Sequence, residues 1–201
     1  MRSGLFFIGL WVLVAGGCAT GPERPGQPGK KLPIELGAER EAQIAQVDHW
    51  KITGRIGIRN GGEGFSAGLE WLQTGKKFDI RLFDPLGRKV AWLRGDDQSV
   101  SLQTSDGRDL TAKDPQSLMQ RNLGWSFPIR SFFYWVKGIP DPAKVVWRQE
   151  YDKKGHLVLM HQGGWKAKFS RYQPIDTGEI PQLSRLTRDD LRVKLLIREW
   201  E

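Results

Sequence analysis

The sequence predicts a mainly β protein with inserted helices: a curved antiparallel half-barrel of about eleven strands under a helical lid. Apolar and polar residues alternate over most of the chain from residue 50 onward. Short turns rich in Gly, Asn and Asp separate the alternating runs, which predicts antiparallel neighbours. An apolar segment of helical character interrupts the pattern at 113–138. A sheet of this length should curl, and the helices can cover its inner face.

The composition is that of one domain with a sizeable core. The chain has 201 residues, of which 39% are hydrophobic and 27% charged, so global disorder is excluded. The net charge is +8, but Lys and Arg are scattered and no nucleic-acid-binding motif is present. Nine tryptophans are a high number for this length, and they favour packed cores, apolar cavities or membrane interfaces.

The N-terminus has the pattern of a lipoprotein signal peptide over residues 1–17. Arg2 precedes a short apolar stretch, and small residues lead to Cys18, the single cysteine of the chain. This arrangement resembles the lipobox of bacterial lipoproteins, in which the cysteine becomes the lipidated first residue. Ala15 stands where that motif usually has leucine. The alternative is a general secretory signal with a coincidental cysteine.

Lipidation of Cys18 predicts a chain that is anchored to a membrane without spanning it, because two or three acyl chains hold stably. An aspartate after the cysteine commonly retains lipoproteins in the inner membrane, so Ala19 points to the outer membrane. Residues 18–36 are rich in Gly, Pro and charge, and we interpret them as a flexible tether. A single folded domain should then occupy residues 37–201.

The folded domain should begin with an amphipathic helix at 38–48, followed by two meanders of strands. Each strand alternates, so that one face of the sheet is apolar. The first meander comprises WKITGRIGI at 50–58, GFSAGLEW at 64–71, KFDIRL at 77–82, and runs carrying Val90 with Trp92 and Val100 with Leu102. The second comprises VVWRQEY at 145–151, LVLMHQ at 157–162, WKAKFSRY at 165–172, QLSRLTR at 182–188 and LRVKLLIREW at 191–200.

Two helices are predicted between the meanders. At 113–124, Asp114 is a suitable N-cap, Pro115 suits the first turn and Gly124 a helix stop. The segment at 129–138 reads as a second, very apolar helix. Both are placed to form the lid.

No convincing catalytic site, metal site or cofactor site emerges from the motifs. The stretch GFSAG around Ser66 matches a nucleophile elbow, but that motif requires a strand, a sharp turn and a helix. Here it falls inside an alternating strand. The histidines, His49, His156 and His161, lack metal-ligand spacing. We therefore expect no enzyme and no bound metal, and a lipid-tethered esterase using Ser66 is the alternative.

The whole pattern resembles the LolB family, the outer-membrane receptors of the lipoprotein-localisation (Lol) pathway. The resemblance covers the mature chain and rests on spaced aromatics and glycines. The stretches that carry it are WKITGRIGIR at 50–59, SAGLEWLQ at 66–73, FDIRLFDPLGRKVAWLRG at 78–95, FPIRSFFYWVKGIPDP at 127–142 and HQGGWKAKFSRY at 161–172, followed by IPQLSRL and LRVKLLIREW.

The resemblance implies a transfer function without a cofactor. Family members accept lipoproteins from a periplasmic LolA-like carrier and place them in the outer membrane, so the implied partners are that carrier, lipoprotein acyl chains and outer-membrane lipid. We expect a monomer, lipid-anchored at the periplasmic face of the outer membrane. A hydrophobic residue on a protruding loop assists membrane targeting in the family, and Leu86, between Pro85 and Gly87, matches it.

An apolar cavity for acyl chains is the remaining expectation. An envelope lipoprotein that binds or senses other lipids with the same fold is the alternative to the transfer receptor. The predicted cavity residues are Ile52, Ile56, Leu69, Trp71, Phe78, Ile80, Val90, Trp92, Leu118, Phe132, Trp135, Trp147, Trp165 and Phe169.

Overall fold

The computed structural model describes residues 31–114, 117–118 and 128–201. The predicted signal peptide, Cys18 and most of the tether therefore lie outside the described residues, as does most of the helix predicted at 113–124, of which 117–118 are helical. Residues 31–201 form one compact unit. No helix within the described part of the chain is long and apolar enough to cross a membrane.

Within the described residues, eleven antiparallel strands form one open sheet, as predicted. Its order is β6-β5-β4-β3-β2-β1-β11-β10-β9-β8-β7, so the first and last strands meet at the centre and β6 and β7 are the two edges. The strands are β1 (His49–Asn60), β2 (Glu63–Thr74), β3 (Lys77–Phe83), β4 (Lys89–Gly95), β5 (Val100–Thr104), β6 (Asp109–Ala112), β7 (Val146–Tyr151), β8 (Leu157–Gln162), β9 (Trp165–Ile175), β10 (Gly178–Arg188) and β11 (Leu191–Trp200).

The two ends of the sheet differ, and the difference positions the functional features. Asn60 pairs with Glu63 on one side and Leu191 on the other, which puts the β1–β2 and β10–β11 turns at one end. The β3–β4 and β8–β9 turns lie at this same end, as the register of each ladder requires. We call it the loop end, and the opposite end the helix end.

Helix α1 (Pro33–Ala45) lies at the helix end and begins earlier than the predicted residue 38. Pro33 occupies the first turn, where its missing N–H costs nothing, and the Glu35 side chain accepts a bond from the Leu32 N–H at 2.8 Å. Residues 33–36, which we assigned to the tether, are therefore helical.

Arg40 fastens α1 to the sheet. Its guanidinium is buried and donates to the carbonyls of Gly138, Lys137 and Glu179 at 2.6–3.1 Å. Tyr151 donates to the Glu41 carboxylate at 2.8 Å from β7. The position of this helix is fixed by polar contacts as well as by the buried Ile44.

Helix α2 (Ile129–Trp135) covers the inner face of the sheet. It ends because Gly138 adopts φ +67 and the Ile139 N–H bonds back to Tyr134 O, an αL helix stop. Trp135 and Phe132 of this helix are buried in the core. The part of the lid that the structure describes thus includes a short helix anchored by two large side chains.

Strand β6 was not located from the sequence. For β4, the prediction of which residues face the interior was wrong. Val90 and Trp92 do not share a face, because the ladder shifts register between Leu82 and Phe83 and leaves Val90 as an extra residue. A β-bulge of this kind reverses the facing of every later residue relative to simple alternation. Ala91 and Leu93 consequently face the interior.

Candidate functional site

A large apolar cavity lies between strands β1–β5 and α2. Its volume is about 410 Å³, within the roughly 300–1,000 Å³ that encloses small ligands. Its wall is almost entirely aliphatic or aromatic. The lining residues are Ile56, Ile58, Asn60, Glu63, Gly64, Phe65, Leu69, Trp71, Ile80, Leu82, Val90, Ala91, Leu93, Leu102, Thr104, Ile129 and Phe132.

The cavity opens at the loop end. Asn60, Glu63 and Gly64 form the rim there and are exposed, and the large side chain of Phe65 is 45% exposed. At the other extreme Trp71 is 1% exposed and packs edge-on against Phe133, with ring centroids 5.4 Å apart. The cavity therefore has an aromatic floor and a partly polar mouth.

Six of the fourteen predicted residues line this cavity, namely Ile56, Leu69, Trp71, Ile80, Val90 and Phe132. Six others are buried in packed core instead. Ile52, Trp135, Trp165 and Phe169 belong to the main core cluster, and Phe78 and Leu118 belong to a smaller cluster with Val100 and Leu102. Their placement in the cavity wall was wrong because a buried inward face does not distinguish a filled interior from a hollow one.

Trp92 lies on the outer face of the sheet, so its prediction was also wrong. It pairs with Arg81 across the β3–β4 ladder, and its indole Nε1 donates to Asp79 Oδ1 at 3.0 Å. The cations of Arg94 and Lys89 lie 4.1 and 4.2 Å from the ring centroid. The cause is the bulge at Val90.

Trp147 is the second tryptophan that is misplaced by the prediction. It is 81% exposed, at a register shift between Val146 and Arg148 in β7. The extra residue of the bulge turns out of the ladder instead of packing inward. Both errors therefore have the same physical origin.

The prediction missed lining residues of two kinds. Ile58, Phe65 and Leu82 have the inward alternation of their strands, so the pattern itself could have included them. Ala91 and Leu93 were hidden by the bulge, and Ile129 comes from the lid. Ladder register was the signal needed for the second kind.

The loop carrying Leu86 is a rigid turn at the loop end. Asp84 Oδ1 accepts the backbone N–H groups of Leu86 and Arg88, both at 2.9 Å, and Gly87 has φ +80, which suits glycine. The Arg88 N–H is the main cause that keeps the pKa of Asp84 below its usual value. Leu86 itself is 79% exposed. The turn therefore holds an exposed leucine side chain in solvent on a rigid backbone.

Buried polar contacts fix the lid helix over the core. Trp135 Nε1 donates to Gln162 Oε1 at 2.8 Å, and the Asp141 N–H donates to the same oxygen at 2.9 Å. The Gln162 amide donates in turn to the carbonyls of Asp141 and Lys144. Just after α2, Lys137 Nζ donates to Val47 O at 2.8 Å, and burial lowers the pKa of Lys137 to about 8.

Ser66 is the fourth residue of β2 and is exposed, opposite Gly57 of β1. A nucleophile elbow needs a strand that turns sharply into a helix, and here the strand continues to Thr74. The geometry of this serine is that of a strand residue.

Comparison with known proteins identifies the family. The model of the family described as outer membrane lipoprotein LolB matches residues 48–200. The chain belongs to the LolB family. The outer-membrane lipoprotein LolB of Stutzerimonas stutzeri is 34% identical over 193 residues, covering 96% of this chain and 92% of that protein. LolB of Pseudomonas fluorescens is 33% identical, covering 97% and 94%.

The fold also matches solved structures at low identity. A domain from Vibrio parahaemolyticus named for outer-membrane lipoprotein sorting superposes with a TM-score of 0.52 at 11% identity, covering 84% of this chain and 91% of that chain. The likeness shows a shared fold. Membership of the LolB family makes the protein an outer-membrane lipoprotein, so the predicted outer-membrane location agrees with its relatives.

Proposed function

We propose that this LolB-family receptor accepts the acyl chains of lipoproteins from a LolA-like periplasmic carrier and delivers them to the outer membrane. The observation that carries the proposal is the apolar cavity of about 410 Å³ with its mouth at the loop end. An acyl chain of ~16 carbons is smaller than the drug-sized ligands that cavities of this size enclose. The walls present carbon to the chain, while Asn60 and Glu63 at the mouth suit the polar part of the cargo.

Transfer through enclosed sites follows from the cost of exposing acyl chains. One chain of ~16 carbons in water costs about 13 kcal/mol at ~0.8 kcal/mol per methylene, so a lipoprotein cannot cross the periplasm free. No nucleotide is required if each successive site holds the chain more favourably than the last. No catalytic step is needed, and Ser66 has no part in the proposal.

Leu86 is the membrane-insertion residue of the proposal, with Pro85 and Gly87 forming its turn. Full burial of a leucine stabilises by roughly 1.5–3 kcal/mol, which is too little to hold a protein on a bilayer but enough to insert a rigid turn locally. The turn lies at the same end as the cavity mouth. Insertion would therefore bring the mouth to the lipid surface.

The anchor at Cys18 is compatible with that orientation. Helix α1 lies at the helix end, so the tether must reach past the sheet if Leu86 contacts the membrane in which Cys18 is anchored. Residues 19–32 supply a contour of at most about 50 Å, and a strand as long as β1 spans about 40 Å. The tether is long enough for Cys18 and Leu86 to share the periplasmic face of one membrane.

The test is a two-step transfer of a labelled lipoprotein. The protein lacking residues 1–18, which we call the body, is first mixed with a carrier that is loaded with the lipoprotein. Liposomes are added afterwards. We expect the label to move first to the body and then to the liposomes. Acceptance of free lipids without acceptance from the carrier would instead support the lipid-binding alternative and contradict the receptor function.

Leu86→Glu separates the two steps. It should leave cargo acceptance and the unfolding midpoint unchanged, because the side chain is exposed, and should impair delivery to liposomes. Leu72→Glu is the matched control, since Leu72 is also an exposed leucine but lies near the helix end of β2. Unchanged delivery by Leu86→Glu would remove this turn from the mechanism.

A further inference from the structure

A second exposed apolar feature lies at the start of β7. Trp147 is 81% exposed and Val145, just before the strand, is 71% exposed. An isolated exposed valine is ordinary. A tryptophan side chain that is almost fully exposed is unusual, because burial of this large apolar surface contributes strongly to the stability of a core. The bulge at Trp147 is what directs it outward. The proposed function leaves this residue without a role.

Trp147 lies at the loop end, across the sheet from Leu86. Val146, next to it, pairs with Gln162, which pairs with Trp165 beside the β8–β9 turn. Leu86 joins β3 and β4 in one half of the sheet, while β7 is the edge strand of the other half. The two exposed side chains therefore lie at one end of the molecule in opposite halves of the sheet.

Two cationic side chains line a shallow pocket next to Trp147. The pocket has a volume of about 330 Å³, and its wall includes Trp147, His161, Lys166 and Arg188. We call these four residues the Trp147 patch. Lys166 is exposed. Arg188 has a long 3.9 Å contact with Asp189, which also lines the pocket and whose side chain is 92% exposed, and the Arg188 guanidinium lies 5.2 Å from the centroid of the Trp165 ring. An ion pair this long and exposed is weak, and a guanidinium over an aromatic face still has N–H donors for an anion.

His161 adds a polar atom that lacks a partner. Its Nε2 is shielded from solvent and has no hydrogen-bond partner among the described residues. Because water does not reach Nε2, a bound phosphate does not reach it either, and Lys166 and Arg188 are the donors that can meet the phosphate oxygens. His161 contributes part of the pocket wall.

We propose that the Trp147 patch is a second membrane-contact site, which takes the phosphate of a phospholipid headgroup while the Trp147 indole lies in the interfacial layer. Tryptophan is enriched at that depth of a bilayer, and cations beside it meet anionic lipid. The site deepens the proposed delivery function. With Leu86 alone the body can tilt about one point, whereas a second contact in the other half of the sheet fixes the mouth toward the lipid.

The experiment measures binding of the body lacking residues 1–18 to vesicles of phosphatidylethanolamine and phosphatidylglycerol by co-sedimentation. Trp147→Ala should lower the partition coefficient roughly tenfold, and Lys166→Glu should lower it by about fivefold or more, as expected for removing one surface cation. Lys168→Glu is the matched control, because it makes the same charge change two residues further along β9, away from the loop end. It should retain most of the binding.

Two further arms identify the source of the phosphate. Vesicles of digalactosyldiacylglycerol, which has no phosphate, should bind the wild-type body more weakly than phospholipid vesicles do. On these vesicles Lys166→Glu should lower binding no further, whereas Trp147→Ala should still lower it, because the indole needs no phosphate. Inorganic phosphate at matched ionic strength should compete poorly if the site requires a headgroup in a bilayer. Complete displacement by inorganic phosphate would make this a free-anion site and overturn the membrane assignment.

The outcomes separate this proposal from the receptor function. Equal vesicle binding by wild type, Trp147→Ala and Lys166→Glu overturns it, whatever the two-step transfer shows. Loss of acceptance from the loaded carrier with unchanged vesicle binding would assign the patch to the carrier and also overturn it. Failed transfer by a wild-type body that still binds vesicles through Trp147 would reject the receptor function and leave the membrane contact standing.

Discussion

The two halves of the sheet have the same alternating pattern and yet enclose different interiors. In the half formed by β7–β11, inward side chains such as Trp165, Phe169 and Met160 are 0–3% exposed and pack under Trp135 of the lid. In the half formed by β1–β6, the inward side chains of β3 and β4 remain partly exposed around a void. The β7–β11 half is packed throughout, whereas the β1–β6 half contributes packed core and also holds the space for a ligand.

Side-chain size and the reach of the lid explain the difference. Ala91 faces inward between Leu82 and Thr104, where a larger residue would be needed to fill the space. Helix α2 directs Trp135 into the filled half and only Phe132 and Ile129 to the wall of the hollow one. A cavity thus persists because its wall carries small or short residues that the side chains of α2 do not fill.

The largest expected effect is the loss of stability caused by a substitution in the filled half, β7–β11. Phe169→Ala should lower the free energy of unfolding by about 3–5 kcal/mol, since it leaves a cavity in packed core. Phe65→Ala, which shortens an aromatic at the exposed mouth, should cost less than about 1 kcal/mol and weaken binding of a fluorescent fatty acid. Urea unfolding measures both variants, and similar costs would contradict the division into halves.

A smaller effect concerns Lys137, which joins the end of the lid to the α1–β1 connection. Its folded pKa of about 8 lies below the ordinary 10.5, so the unfolded chain binds more protons between these values and stability rises with pH. From pH 7 to pH 10 the wild type should gain about 2–3 kcal/mol relative to Lys137→Met. The free energy of unfolding of both proteins is measured across this pH range. If it changes equally with pH in both, burial of the Lys137 ammonium does not destabilise the fold.

The smallest effect is expected on the outer face. Trp92→Ala removes contacts with Arg94 and Lys89 and a hydrogen bond to Asp79, which should cost about 1 kcal/mol of stability. Affinity for the fluorescent fatty acid should not change, because the side chain is outside the cavity. Titration with the fatty acid checks this. A clear loss of affinity would mean that the Trp92 side chain does not point away from the cavity.

Much of the fold was predictable because alternation and turns are local signals. The faces of β1 and β2, with Ile52, Ile56 and Trp71 inward, follow directly from period-two spacing. The bulges at Val90 and Trp147 were not predictable, since an extra residue leaves composition and hydrophobicity unchanged while it reverses facing. Strand β6 has only four residues, too few to show alternation.

The sequence could predict that an apolar cavity exists, but it could not decide residue by residue which side chains line that cavity. Inward apolar residues are buried whether they fill a core or line a void, so Ile56 and Phe169 look alike in the sequence and differ in the structure. The decisive information is which residues oppose one another across the ladders and how far the lid extends. The exposed leucine of the Leu86 turn was predictable because it stands between turn-forming residues, whereas its membrane role rests on the resemblance to the LolB family and stays a prediction.

The most direct test of the account compares two matched substitutions, Ala91→Phe in the hollow half and Ala167→Phe in the filled half, by binding of a fluorescent fatty acid and by urea unfolding. Ala91→Phe should abolish or strongly weaken binding with a stability change within about 0.5 kcal/mol, because the void accepts the ring. Ala167→Phe, at a site that is 0% exposed, should cost about 1–3 kcal/mol through overpacking and leave binding by the folded protein intact. Wild-type affinity in Ala91→Phe, or equal destabilisation by the two substitutions, would contradict the claim that the ligand space lies in the β1–β6 half.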